Sequence, residues 1–283
     1  MKQKAERKKF KLSSILLLLL FIIISIFALF PLVAITLGSL KPSTEILRYG
    51  LNLKLQPDLL SFKNYSFIFT GDTDYFIWYK NSIIITVCST LLCLLLTSMV
   101  GYGLAVYQFK LKNLIFGLVL IVMMIPVEII MLPLYKLTMS LGLMDTLIGA
   151  FLPFVVAPIP IFFFRQYASG LPRDLLDAAR VDGCTEVGIY FRVMMPLMAP
   201  AFSSMAILQA LGSWNNFLWP LIVLRSSENL TLPIGLSTLL TPYGNNYDVL
   251  IAGSVLAIFP VLMLYIFFQR YFIEGMTAGG VKG

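Results

Sequence analysis

The sequence contains no histidine. That removes histidine-based triads, imidazole general bases and imidazole metal ligands, the commonest devices of neutral-pH catalysis. Cysteine is scarce too. Cys88, Cys93 and Cys184 are too few and too scattered for a zinc or iron–sulfur set. Cys88 and Cys93 sit in an apolar run, where a free thiol acts as a small hydrophobe, and no disulfide is inferred. No G-x-x-x-x-G-K-[ST] phosphate loop occurs, so the chain has no nucleotide hydrolysis site of that chemistry. Charge is thin: 12% of the 283 residues are Asp, Glu, Lys or Arg, about half of a soluble globule's share of ~25%. No stretch has the composition of a sizeable soluble domain.

What is present is apolar. Hydrophobic residues make up 59% of the chain, and the mean hydropathy is +0.88. The class implied is an integral, all-α membrane protein. A bilayer-spanning helix needs about 20 apolar residues. That criterion predicts six spans, near 14–38, 81–108, 113–140, 146–168, 194–223 and 249–271. The first follows a basic segment (Lys2, Lys4, Arg7, Lys8, Lys9, Lys11). Those charges suit nucleic acid or retention on the cytoplasmic side; the apolar run directly after them favours retention, so no nucleic-acid partner is expected. A signal peptide is the alternative for 15–37. That run is longer than a signal core and lacks a clear cleavage site.

An even number of spans puts both ends in the cytoplasm. Residues 1–13 then form a basic tail, 14–271 the membrane domain and 272–283 a glycine-rich tail. Lys110, Lys112, Arg173, Arg180, Arg192, Arg270 and Lys282 fall on the cytoplasmic side. Pro126 and Pro133 are expected to interrupt the third span, and Pro153, Pro158 and Pro160 the fourth. Such kinks suit helices around a pathway, or simple packing. No repeat relates the two halves.

Between the fourth and fifth spans lies a polar stretch, "LPRDLLDAARVDGCTE". Pro172 suits a first helical turn. Asp174 suits the positive end of the helix dipole, and Gly183 a left-handed ending. A short amphipathic helix over about 172–184 follows, with Leu175, Leu176 and Ala179 on its apolar stripe. It could lie on lipid headgroups, or dock on protein through the small Ala178 and Ala179. The spacing Asp177-Ala178-Ala179, Asp182-Gly183, Phe191 and Pro196 resembles the EAA loop of ATP-binding-cassette (ABC) importer permeases. Asp177 stands for the family's Glu, Cys184 for its second Ala, and Val193-Met194-Met195-Pro196 for I-x-L-P.

The resemblance implies a type I (MetI-like) permease fold of six helices. It also implies that Asp177, Ala178, Ala179, Arg180, Asp182 and Gly183 couple the chain to a separate ATPase. ATP is then used by that partner, and no cofactor is bound here. The ending Tyr271 to Gly283 resembles the tail of carbohydrate permeases akin to the maltose system's smaller subunit. It implies that Gly275, Gly279, Gly280 and Lys282 reach between ATPase subunits; a frayed terminus is the plain alternative. "GSLKPSTEILRYGLNL", the charged stretch and "TPYGNNYD" are similar to arabino-oligosaccharide permeases of this group. That implies α-1,5-linked arabinose oligomers as cargo. Lactose, raffinose-type sugars and glycerol phosphate are carried by near relatives. The implied partners are a second permease subunit, a cytoplasmic ATPase dimer and an extracytoplasmic sugar-binding protein, within bacterial membrane lipid.

Candidate substrate-pathway residues are Trp214, Asn215 and Asn216, whose amides are costly in lipid unless they face a cavity or partner helix. Aromatic enrichment at the membrane surface is the plain alternative for the tryptophan. Glu128 is the clearest buried-looking ionisable residue, either functional or hydrogen-bonded to a kinked backbone. Tyr243, Asn245 and Asn246 lie in a polar, turn-rich outer loop and are candidates for contact with the binding protein. Two rival readings are an ion-coupled secondary transporter using Glu128, and a membrane enzyme. The missing histidine and the lack of a metal or nucleophile set argue against the enzyme.

Overall fold

The computed structural model describes residues 12–50, 52–70, 73–241 and 244–278. These fall into two compact units, one formed by Met1–Asp72 with Leu239–Leu256, the other by Thr73–Thr238 with Ala257–Gly283. Among the described residues the chain is helical apart from loops, short 3₁₀ turns and one pair of two-residue strands.

The first unit contains α1 (Leu12–Ser39), α2 (Ser43–Tyr49) and α3 (Lys63–Thr70). It also holds the antiparallel strands β1 (Leu240–Thr241) and β2 (Gly244–Asn245). α1 is a single apolar helix whose side chains are exposed along its membrane-spanning window. Its few hydroxyls bond backward within the helix, Ser25 to the Phe21 carbonyl and Thr36 to that of Leu32, which suits a helix that meets lipid. Past α1, Lys41 is 2% exposed and has no carboxylate partner among the described residues. Its ammonium instead donates to the Lys54 carbonyl at 2.6 Å and to the amide oxygens of Asn52 and Gln56 at 3.4 and 3.3 Å. A buried cation is tolerable only with such an oxygen cage.

The second unit is built on α4 (Tyr75–Val106). At ~1.5 Å per residue it is longer than a ~30 Å hydrocarbon core. Then come α5 (Lys112–Met123), α6 (Val127–Ser140), α7 (Leu147–Phe154) and α8 (Pro158–Ser169). α9 (Asp174–Val181) is the charged helix. It is followed by α10 (Glu186–Leu197), α11 (Ala199–Trp214), α12 (Leu218–Val223) and α13 (Leu232–Thr238). α14 (Tyr247–Ala278) closes the described chain. α4 packs against α8 and α11 around Leu94, Ala105, Phe164, Ala168, Met198, Ala201 and Met205.

Three helices, α1, α4 and the Tyr247–Phe268 part of α14, are long and apolar enough to cross a membrane, or six if each of three bent pairs is one span. Interruptions were expected in the third and fourth spans; the fifth is bent as well. α5 and α6 meet at 103°, α7 and α8 at 46°, α10 and α11 at 78°. Pro126 and Pro158 sit at the first two breaks. Pro126 is extended, and it disfavours helical geometry at Ile125 before it. Pro133 does not interrupt α6 and Pro160 lies inside the first turn of α8, where a missing N–H costs little. The span expected at 194–223 ends at Trp214, and α12 is separate. α10 contains a π turn over Tyr190–Met194 ahead of Pro196, which cannot donate a helical hydrogen bond.

The α4–α8 crossing is close enough to require glycine. A Cβ on Gly101 would lie 2.7 Å from Phe164 Cβ and 2.8 Å from the Arg165 nitrogen, whereas one on Gly103 would meet nothing within 4 Å. Gly101→Ala is therefore expected to cost about 1–3 kcal/mol, seen as a drop of about 3–8 °C in the melting temperature of detergent-purified protein. Gly103→Ala should leave it unchanged or slightly raised. Equal melting temperatures for the two would refute the close crossing.

Candidate functional site

The second unit brings chemistry-bearing residues together in three places. The first is the charged helix. Asp174 and Asp177 lie in the first turn of α9 and Arg180 in its last, each sign at the dipole end that favours it. The helix starts at Asp174, so Pro172 precedes it rather than opening it. The ending is a Schellman motif: Gly183 N–H donates to the Arg180 carbonyl at 3.0 Å and Cys184 N–H to the Ala179 carbonyl at 3.0 Å. Gly183 has φ +79°, the left-handed geometry that glycine adopts at least cost. Thr185 then caps α10, its hydroxyl accepting from Gly188 N–H at 3.1 Å.

The two faces of α9 differ. Leu176 and Ala179 are buried with Tyr102, Ile189, Tyr190 and Met194. Ala179 is thus spent on the chain's own core, which corrects its expected role as a surface for close approach. Ala178 is exposed, as are Leu175 and Val181, the last at 87%. Asp177 and Arg180 were expected to serve an external partner. Instead Arg180 donates to Asp177 at 3.0 Å and, through Nε, to Glu186 at 2.9 Å. Glu186 also accepts from the Tyr107 hydroxyl at 2.7 Å. Asp182 is exposed. Exposed ion pairs are screened by water and add little stability, while burying Leu176 contributes about 1.5–3 kcal/mol. The apolar contact holds the helix; the polar clasp orients it.

The second place is a cavity of about 470 Å³. Ser89 of α4, Gln209 and Ser213 of α11, Asn216, Phe154 and Trp219 are among its lining. The side-chain amides of Gln209 and Asn216 form no hydrogen bond with the described residues. Aromatic faces with free amides are what a sugar's C–H faces and hydroxyls require. Of the expected pathway residues, Asn216 lines this cavity. Trp214 does not: it is buried, its indole N–H donates to the Ala257 carbonyl at 3.2 Å, and its ring meets Tyr79 edge-on. Asn215 is exposed and folds its amide back on the Leu211 carbonyl at 2.9 Å. Glu128 is exposed in the first turn of α6, contrary to its buried look. An apolar sequence neighbourhood puts a residue in a bilayer-like stretch, not inside a fold. Gln209 was missed, although its spacing to Ser213 and Asn216 marks one helical face.

The third is a stapled segment, 225–232. The Trp78 indole N–H donates to the Ser227 carbonyl at 2.9 Å. The Asn81 amide donates to the carbonyls of Glu228 and Leu230, and Leu232 N–H to the Ser82 hydroxyl. Asp145, at φ +56°, accepts from Arg225 and Ser226 N–H at 2.9 and 3.1 Å and from the Ser226 hydroxyl. Burial alone would raise its pKa. The Ser226 hydroxyl, the Arg225 and Ser226 amides and Asn229 outweigh that and lower it to about 2.

In the first unit, Asn246 is exposed, accepts from Val249 N–H at 3.1 Å, and lines a groove of about 330 Å³ with Lys63, Phe67 and Asp248. Asn245 contributes its backbone to β2. Tyr243 lies outside the described residues, as do Gly279, Gly280 and Lys282. Gly275 lies within α14, which runs helical to Ala278.

Residues 94–277 match the family described as the binding-protein-dependent transport system inner membrane component. The chain belongs to this family. The arabinooligosaccharides transport system permease protein AraQ of Bacillus subtilis is 61% identical, with 97% of this chain and 98% of that one covered. The AraQ of Halalkalibacterium halodurans is 56% identical over 98% of this chain and all of the relative. The lactose permease LacG of Rhizobium radiobacter is 33% identical over 90% of this permease and 91% of its own length. Among solved structures, a bacterial ABC transporter that imports the polysaccharide alginate superposes with a TM-score of 0.78 at 24% identity. It covers 93% of this chain and 99% of its own. The permease thus has the type I ABC importer fold; it is a membrane subunit and not itself an enzyme.

Asp145 bears a pH-dependent prediction. A lowered carboxylate pKa contributes stability above the unfolded value of ~4, lost as pH falls toward the folded value. Protection of the Arg225 and Ser226 amides from hydrogen exchange should hold from pH 8 to 5 and fall between about pH 4 and 2. In Asp145→Asn, which tolerates the left-handed backbone, that fall should be absent.

Proposed function

We propose that this permease carries α-1,5-linked arabino-oligosaccharides across the bacterial cell membrane, powered by a separate ATPase. The observation that carries the substrate is the 61% identity to AraQ over nearly the whole of both chains. The cavity with Gln209, Ser213, Asn216, Phe154 and Trp219 supports a sugar pathway through this subunit. A second permease subunit completes that pathway. An extracytoplasmic sugar-binding protein delivers the cargo and contacts the polar loop that carries Asn245 and Asn246. Both chain ends lie in the cytoplasm, and the chain binds neither ATP nor a cofactor.

The charged helix α9 is the coupling helix. Its exposed face, with Leu175, Ala178, Val181 and Asp182, fits a cleft on the ATPase. Gly183 sets the angle at which α10 leaves. The end of α14 with Gly275 and the tail with Gly279, Gly280 and Lys282 engage the ATPase dimer. Glu128, exposed on α6, faces lipid headgroups or the second subunit in this reading.

Uptake of labelled arabinobiose, arabinotriose, free arabinose, maltose, raffinose and glycerol 3-phosphate in cells with and without the gene tests the cargo. Selective loss of the arabinose oligomers, restored by wild type, is expected; loss of a different sugar instead would discard that cargo. Gly183→Pro should insert normally yet fail to restore uptake, because the proline ring holds φ near about −65° and cannot adopt +79°. Truncation after Tyr271 should likewise abolish uptake while membrane insertion persists.

A further inference from the structure

The clasp around Glu186 joins three elements far apart in sequence: α9 through Arg180, the start of α10 through Glu186 itself, and the end of α4 through Tyr107. Arg180 donates through Nε to Glu186 Oε1 at 2.9 Å and through Nη2 to Oε2 at 3.3 Å, and the Tyr107 hydroxyl also donates to Oε2 at 2.7 Å, so one carboxylate bridges α9 and the residue that ends α4. Behind the clasp lies a tyrosine cluster. The Tyr102 ring meets Tyr107 edge-on at 5.7 Å and Tyr190 at 5.4 Å. The Tyr190 and Ser98 hydroxyls are hydrogen-bonded at 2.6 Å, buried, two turns further along α4. A chain of contacts therefore runs from α9 to Ser98, about two turns inside the end of α4.

We infer that Glu186 and Tyr107 are positioning residues that make the charged helix and α4 move as one body during transport. The inference rests on α9 being the coupling helix, and adds that Arg180 serves transmission inside this chain rather than docking. The geometry supports this division. The polar atoms of Arg180 are spent on Asp177 and Glu186, while the outward face of α9 carries Leu175, Ala178 and Val181. Packing alone, through Leu176 and Ala179, holds α9 in place but is non-directional. The hydrogen bonds to Glu186 fix its orientation to α4, as charge-assisted hydrogen bonds do. Tyr107 lies outside the charged stretch, 79 residues from Glu186.

The test is the ratio of ATP hydrolysed to sugar imported by the complete importer in proteoliposomes, with its ATPase, second permease and binding protein. Tyr107→Phe keeps the ring and removes only the hydroxyl. Glu186→Gln keeps the shape and removes the charge. Each should raise the ratio about threefold to tenfold, the loss expected of a charge-assisted hydrogen bond. The double variant should be no worse than the worse single, because both act in one chain of contacts. Assembly of the purified complex should be unchanged. Wild-type ratios in both single variants, or additive effects in the double, would overturn the inference. Failure of either variant to assemble with the ATPase would place the clasp in docking and overturn it as well. A wild-type complex whose ATPase is indifferent to the loaded binding protein would instead count against the coupling role of α9.

Discussion

The length of α4 is the constraint on which the rest of the structure depends. A helix of about 48 Å is longer than a hydrocarbon core of about 30 Å, and both of its ends are used. One end, at Trp78, Asn81 and Ser82, staples the segment that ends at Leu232. The other, at Tyr102 and Tyr107, holds α9 and α10. Between them the helix is packed at close range, with Gly101 allowing the α8 backbone to approach. A displacement at one end is therefore carried by a packed helix that resists compression, rather than dissipated in loops.

Polar groups in this chain work mostly on its own backbone. Lys41 is caged by carbonyl and amide oxygens, Asp145 by amides and hydroxyls, and Asn81 and Trp78 reach main-chain carbonyls. This is the economy expected where water is scarce, since an unpaired polar group costs far more than a paired one gains. Against that background the free amides of Gln209 and Asn216 stand out. Both line one cavity of the second unit, and neither side chain hydrogen-bonds to any of the described residues.

The prolines show a mixed legibility. Pro126 and Pro158 read correctly as breaks, because each removes a donor and restricts the residue before it. Pro133 and Pro160 carry the same local chemistry and break nothing, since position within a helix decides the effect. Glu128 looked buried because its neighbours are apolar, and it is exposed. Trp214 and Asn216 are two residues apart in one motif. One packs under α14 while the other lines a cavity, a distinction of facing that requires the neighbouring helices to be in place.

By itself the sequence determined the membrane class, the approximate spans, the charged helix and the Asp-Gly stop that ends it. These follow from local hydropathy, helical periodicity and the conformational freedom of one glycine, all readable within a few turns of chain. The burial of Ala179 and the clasp of Glu186 by Arg180 and Tyr107 were decided only by the tertiary structure. Each depends on helices meeting across tens of residues, and no local propensity records which side chain a distant helix will bring within 3 Å.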